Sequence, residues 1–400
     1  MTTINISGIA KGDGEKKKMQ TIMIITNKYP NVTDPNVCVF VQQLVWSVAD
    51  LGYKCIVVVP MPVNFKKAYM SFPDKKEEIT ENGSKVEVYY PKYVSAGQAG
   101  NFAQKSRVRF TTDRFTKAVD KVLAGMSRKP DILYAHFICP AGVAASRLGK
   151  KYNIPAFMAH GEATYSGDQK YGNKILAEEL KGLRGVIAVS SQNKSYCADA
   201  GIVSEEIIEV FPNGYRPERF FPRDKAEARK KFRLPEDKFI AGFCGSFDER
   251  KGILRLQEAV EQLDNVYFVC AGKGKLKPDS SRCLWSEPVN NNDLAWFYSA
   301  LDVFVLPTKH EGCCNAIVEA IACGCPIISA DRSFNYDICD EGNSVLIDPD
   351  NVDEIREAIL KVYKDESLRE SLARGSIKKA EELTLSSRAN NIMEFIESKI

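Results

Sequence analysis

The chain has 400 residues, 44% hydrophobic and 27% charged, with 55 Lys and Arg against 52 Asp and Glu. That balance is the composition of a globular chain, and the length exceeds one ordinary core, so two domains are expected. No apolar run approaches the roughly 20 residues of a membrane-spanning helix, and a net charge of +3 gives no support for a nucleic-acid partner.

Residues 1–18, with Gly8, Gly12, Gly14 and the Lys16-Lys17-Lys18 run, read as a flexible leader with no apolar segment to act as a secretory signal. A cytoplasmic protein is therefore expected. Order begins with an apolar strand over 21–26. A loop with two prolines follows, then a helix over 40–51 carried by Val41, Leu44, Val45 and Val48, then a second parallel strand over 55–60. This β–α–β start lacks G-x-G-x-x-G, so a nicotinamide cofactor is disfavoured. Further strands are expected over 86–90, 131–136, 156–160 and 186–190, the last closing the first sheet, with helices over 110–125 and 141–152. His136 and His160 each end a strand, at the sheet edge where α/β proteins bind ligands; a strand-end histidine also has a purely structural reading.

Pro212-Asn213-Gly214 marks a turn between domains. Beyond it, strands over 239–245 and 266–272 flank a loop at 245–252 and a helix over 253–263. An apolar run at 301–307 reads as a buried strand, followed by a helix starting near Gly312 and a strand over 327–330. A strand ending near 346–349 and helices over 352–364, 368–383 and 385–400 complete the chain. Most cysteines, such as Cys38, Cys55, Cys244, Cys270 and Cys323, lie in apolar stretches as small hydrophobes. No paired CxxC and no histidine cluster argues for a metal. Between residues 65 and 129, fourteen Lys or Arg stand against seven Asp or Glu, interleaved with aromatic residues. Such a face suits an anionic membrane surface or acceptor, or is a solvated basic surface.

The chemistry concentrates in His310-Glu311-Gly312-Cys313-Cys314-Asn315 and the helix beyond. A helix N-terminus at the carboxyl end of a parallel sheet favours phosphate. If both Glu311 and Glu319 were helical they would lie about 12 Å apart at 1.5 Å per residue. Glycosidase carboxyl pairs sit about 5 to 9.5 Å apart, so a hydrolytic pair is the weaker reading. The spacing suits a ligand with a diphosphate in the middle and hydroxyl groups at both ends, as in a nucleotide-sugar. Two solvated glutamates on a surface helix are the plain alternative.

Glu311 to Glu319 resembles the Glu-x7-Glu motif of retaining GT-B glycosyltransferases, specifically glycosyltransferase family 4. Phe211 to Pro222 resembles that family's interdomain segment, Gly245 to Gly252 its phosphate-binding loop, Ser299 to Thr308 the strand feeding the Glu motif, and His160-Gly161 its His-Gly motif at the acceptor face. The likeness runs from about residue 21 to the C-terminus, and is strongest in the C-terminal half.

The resemblance implies a GT-B fold: two Rossmann-like α/β/α domains with an interdomain cleft and a C-terminal helix crossing back to the first domain. The expected division is an acceptor-binding domain over 19–211, a nucleotide-sugar-binding domain over 212–385 and the crossing helix over 386–400. It implies catalytic roles for His160, Lys251 and Glu311, donor contacts from Ser246, Arg250, Lys251, Glu311, Gly312, Cys313, Cys314, Asn315 and Glu319, and acceptor-side places for His136 and His160. Ser246 stands where the family has Arg, and Arg250 is the expected substitute; Val37-Cys38 stands where a glycine pair is common.

The implied activity is retaining, metal-independent transfer of a hexose from a UDP- or GDP-linked donor to a glycan, polysaccharide or lipid-linked acceptor. No cofactor is implied; the basic stretch over 65–129, not the resemblance, is what suggests peripheral contact of the first domain with an anionic membrane. A nucleotide-sugar 2-epimerase of the same fold and a non-catalytic sugar-nucleotide binding protein are the alternatives.

Overall fold

The computed structural model describes residues 20–63, 72–96, 104–163, 165 and 170–400. The leader at 1–18 and the stretches 64–71 and 97–103 of the basic region lie outside the described residues.

The chain forms two α/β units, each on a largely parallel sheet. The first sheet runs, edge to edge, Ile208–Val210, Leu183–Ala188, Ala156–His160, Ile132–His136, Thr21–Thr26, Lys54–Val58, Lys85–Tyr89 and Lys75–Ile79. The second runs Cys283–Glu287, Val266–Gly274, Phe239–Phe247, Val303–Leu306, Ile327–Ala330 and Ser344–Ile347. Central strands such as Thr21–Thr26 are buried along their whole length, because helices cover both faces of a parallel sheet. Successive residues alternate between faces: Met23 and Ile25 join one core, Ile22 and Ile24 the other.

That second face is closed by two helices. Val39–Asp50 contributes Val41, Leu44, Val45 and Val48, and the last helix, Leu385–Glu397, contributes Ala389, Ile392, Met393 and Ile396. The last helix thus comes from the far end of the chain to complete the first unit. Tyr53 donates to Glu397 at 2.5 Å, and Arg184 to the Lys399 carbonyl at 3.2 Å. The two chain crossings between the units lie side by side. Tyr215 N–H donates to Leu383 O at 2.9 Å, and Leu385 N–H to Tyr215 O at 2.8 Å. A β-carbon on Gly214 would meet the Thr384 carbonyl at 2.9 Å, so glycine allows the two strands of this joint to touch.

The architecture is the GT-B arrangement expected from the sequence, with several local differences. Strand Lys75–Ile79 is unforeseen: it pairs antiparallel at the sheet edge, and its Lys-Lys-Glu-Glu sequence is the charged kind that blunts an edge. Leu183–Ala188 does not close the first sheet, because Ile208–Val210 pairs outside it in parallel. The helix expected over 110–125 runs from Gln104 to Ala124. The one expected to begin near Gly312 begins at Asn315.

Candidate active site

The units face each other across a cleft with a cavity of about 310 Å³, bounded by Phe40, His136 and Arg388 from one side and Lys251, Glu311 and Cys314 from the other. It shares Phe40, Gly214 and Asn315 with a neighbouring cavity of about 640 Å³ that reaches Glu319, Arg219 and Asn290. Together they form an elongated trough under the joint.

Strand Val303–Leu306 and helix Asn315–Ala322 deliver the Glu motif. The late helix start has a steric cause. A β-carbon on Gly312 would lie 2.3 Å from the carbonyl oxygen of Gly161, so 312–314 is held as a loop pressed on the first unit. The first residues of the helix, Asn315 and Ala316, therefore line the cleft between the units, and a helix N-terminus favours an anion there. Asn213, in the joint, ties this loop down: its side chain donates to Cys313 O at 3.2 Å and Asn315 Oδ1 at 2.8 Å, and its N–H meets Cys313 Sγ at 3.3 Å.

Glu311 is 8% exposed. One of its oxygens, Oε1, collects Lys251 Nζ at 2.6 Å, Thr308 Oγ1 at 2.8 Å and an Arg250 N–H. No partner among the described residues takes Oε2. Burial alone would lower the Lys251 ammonium; the Cys314 sulfur and the Glu311 carboxylate outweigh it and raise Lys251 above its ordinary value. The result is a charged lysine in the cleft, held still by a carboxylate that keeps one face for a ligand. Arg250 also donates to His310 O at 2.8 Å and its side chain is 34% exposed, so it stands at the mouth. Ser246 is exposed and bonded to Asp248 Oδ2 at 2.5 Å, outside the lining of either cavity. Gly252 holds a φ of 80°, and a β-carbon there would meet Pro307 O at 2.5 Å; glycine is required where this loop turns into helix Ile253–Glu261.

Glu319 accepts from the Tyr298 hydroxyl at 2.9 Å. Burial pushes its carboxyl up to about 7, against the pull of Tyr298 and Arg219. Cys38, at the other side of this trough, caps helix Val39–Asp50 in a left-handed conformation with φ 47°.

The two strand-end histidines differ. His160 is fully buried with both nitrogens engaged: Nδ1 lies 2.5 Å from Glu162 Oε2, and Nε2 3.2 Å from Asn193 Nδ2. Burial would depress its imidazolium, but Glu162 outweighs that and raises it well above the ordinary value. His160 thus orders Glu162, whose carboxylate also accepts from Ile138 N–H and Gly161 N–H at 3.0 Å. His136 lines the cleft itself. Burial first, then the charge of Arg388, pushes it down to about 3.

Two families match the chain. The model of "Glycosyltransferase Family 4" matches residues 38–219, and that of "Glycosyl transferases group 1" residues 224–379. The chain is a GT-B glycosyltransferase. Over 361 residues it is 28% identical to TuaC of Bacillus subtilis (strain 168), a glycosyltransferase named for teichuronic acid biosynthesis; the match covers 87% of this chain and 90% of TuaC. Among solved structures, sucrose-phosphate synthase from Thermosynechococcus elongatus superposes with a TM-score of 0.73 at 18% identity, covering 95% of this chain and 98% of that one. Anabaena HepE in complex with UDP and glucose gives 0.67 at 16%, covering 95% and 100%. At these identities the structures support the fold alone.

The glycosyltransferase brings together Lys251, Glu311, Gly312, Cys313, Cys314, Asn315 and His136 in one cavity and Glu319 in the next. Arg250 touches the group through Glu311, while Ser246 and His160 stand apart from the lining. Sequence reasoning passes over Thr308, Tyr298, Arg219 and Arg388. Arg388 has a signal: it interrupts the apolar stripe Leu385, Ala389, Ile392, Met393, Ile396 on the last helix. An Asp-x-Asp string, Asp348-Pro349-Asp350, is also passed over; Asp348 pairs with Arg332 at 2.9 Å and Asp350 with Lys309 at 2.5 Å.

Proposed function

We propose that the glycosyltransferase moves a hexose, with retention of configuration and without a metal ion or cofactor, from a UDP- or GDP-linked donor to a glycan, polysaccharide or lipid-linked acceptor. The observation that carries this reading is the buried Lys251–Glu311 pair beside the open N-terminus of helix Asn315–Ala322. Lys251 and the helix N–H groups receive the diphosphate, whose developing negative charge is the main electrostatic demand of the reaction. Glu311 Oε2 takes sugar hydroxyls, and Glu319 the ribose. The departing phosphate serves as the base for the acceptor hydroxyl. HepE, of the same fold, was solved with UDP and glucose, and TuaC is named for a polysaccharide pathway; both favour this assignment.

The test is a thermal-shift screen of UDP-, GDP- and ADP-linked sugars, since a ligand bound only by the folded state raises the melting temperature. Product analysis then follows, with anomeric configuration read by NMR, and with and without chelator. An inverted product removes retention. Loss of turnover in chelator removes metal independence. An epimerised nucleotide-sugar formed without acceptor replaces transfer by 2-epimerisation.

The proposal includes peripheral membrane contact. No helix of the described residues is long and apolar enough to cross a membrane. Lys75 and Lys76 are paired with Glu87 and Glu78 at 2.6 and 2.7 Å. The basic face that remains is on helix Gln104–Ala124, where exposed Arg114, Lys117 and Lys121 share a side and Arg114 lies 5.2 Å over the Phe110 ring.

A further inference from the structure

Arg388 is 7% exposed, yet it lines the cleft. One of its nitrogens, Nη1, donates to the carbonyls of Phe211 and Pro212 in the joint. Its Nε and Nη2 groups have no partner among the described residues, and no described carboxylate forms an ion pair with it. Burying an uncompensated guanidinium is unfavourable, and arginine does not escape by losing its proton. Two carbonyl dipoles satisfy one corner of the fork and leave the other open to the cavity. Beside it, His136 is 4% exposed, lines the same cavity, and has an Nε2 with no hydrogen-bond partner. Two unsatisfied polar groups, one of them permanently cationic, therefore share the first unit's wall of the cleft. A neutral sugar would leave that charge without a counterpart. A planar two-oxygen anion fits the open edge of the guanidinium in two places.

We propose that Arg388 and His136 form a subsite for an oxyanion, either a carboxylate or phosphate on the acceptor or a phosphate of the donor. Arg388 supplies the charge and the fork, and His136 an N–H from Nε2. The two sources make the glycosyltransferase selective in different ways. An acidic acceptor would be chosen over a neutral one. A donor phosphate would be gripped from both units, with Arg388 joining Lys251, so that binding would close the cleft.

The assignment of the source rests on the transfer reading above; the subsite itself does not, because it is measured by binding without turnover. Calorimetric or NMR titration of the whole chain uses inorganic pyrophosphate, methyl glucuronide and neutral methyl glucoside. The wild type is expected to bind at least one anion, and to prefer the glucuronide over the glucoside if the acceptor is the source. Arg388→Gln should weaken the bound anion by roughly ten- to hundredfold, as loss of charge-assisted hydrogen bonds does. A fall for pyrophosphate assigns the donor, and a fall for the glucuronide alone assigns the acceptor. Arg388→Lys keeps a charge without the fork, and His136→Phe removes the neighbouring donor without touching the joint; each should weaken the same anion. These two variants decide the matter if Arg388→Gln does not fold. Wild-type failure to bind either anion, or unchanged affinities in the folded variants, overturns the proposal.

Discussion

The backbones of Gly312 and Gly161 touch across the cleft, so closely that a β-carbon on Gly312 would come within 2.3 Å of the Gly161 carbonyl oxygen. One belongs to the loop before the Glu-motif helix, the other follows the strand that ends in His160. Any side chain on Gly312 must part the units where a donor and an acceptor would meet. Gly312→Ala is therefore expected to lower turnover by on the order of a hundredfold, the cost of about 1 Å of misplacement at a reacting centre. Circular dichroism and melting temperature should stay near wild type. Full activity in the variant would show that the contact is incidental.

Glu311 holds three donors on one oxygen, and Lys251 depends on it for its position. Lys251→Ala should abolish transfer with the fold intact. Arg250→Ala is expected to cost roughly 2 to 4 kcal/mol in kcat/KM, the range for losing one preorganised transition-state donor, and Ser246→Arg to restore part of it. Steady-state kinetics with the donor found by screening checks both; a silent Arg250→Ala would leave the loop without a second cation.

Glu319, held up to about 7 by burial, gives a pH dependence with a definite sign. If Glu319 binds the ribose as proposed, the hydroxyl donates to the carboxylate form, and affinity for an intact nucleotide-sugar should rise as pH climbs through about 7 and then level off. Stability runs the other way. The folded state holds the proton more tightly than the unfolded chain, whose ordinary value is 4.5, so this group's contribution is fully present below 4.5 and is lost as pH rises through about 7. Glu319→Gln should flatten both profiles. A wild-type affinity that stays level between pH 6 and pH 8 would remove Glu319 from the ribose site.

Cys38 holds a left-handed conformation that costs a side-chain-bearing residue about 1–2 kcal/mol. Glycine relieves that and loses about 0.4–1 kcal/mol through the freer unfolded chain. Cys38→Gly should therefore raise stability slightly, by about 0.5 kcal/mol, and let backbone approach the trough. Chemical denaturation and donor titration read the two effects; lower stability would mean that the Cys38 side chain contributes packing that outweighs the strain.

If helix Gln104–Ala124 meets a membrane, liposome co-sedimentation should require anionic lipid and weaken with salt. Arg114→Glu with Lys117→Glu should reduce it, since each basic residue near such a surface contributes about 1 kcal/mol. Equal sedimentation with neutral and anionic vesicles would leave a protein that meets its acceptor in solution.

The parallel strands were legible because burial on both faces writes itself as continuous apolar sequence, as in Thr21–Thr26 and Ala156–His160. Lys75–Ile79 was not, because an edge strand with alternating exposure needs no apolar run. The start of helix Asn315–Ala322 was misplaced for a non-local reason: Gly312 looks like a helix signal until Gly161, from the other unit, is seen against it. Lys251, Glu311, Cys314 and Asn315, which share one cavity, lie within two short segments that the sequence singles out. The Arg388–His136 pairing joins residues far apart in sequence, and only the charge interrupting an apolar stripe hinted at it. His160 shows the limit of motif reasoning, since position alone did not reveal that both its nitrogens are already engaged.

The closing of the first sheet by helix Leu385–Glu397 also bears on how the protein is made. During synthesis the first unit emerges with one face of its sheet partly uncovered, and Ile22, Ile24 and Val57 wait for Ile392, Met393 and Ile396. Domains ordinarily fold in order as they leave the ribosome. Here the first-born unit is finished last, so a nascent chain halted before residue 385 should display apolar surface that chaperones recognise, and release of the final helix should be the step that hides it.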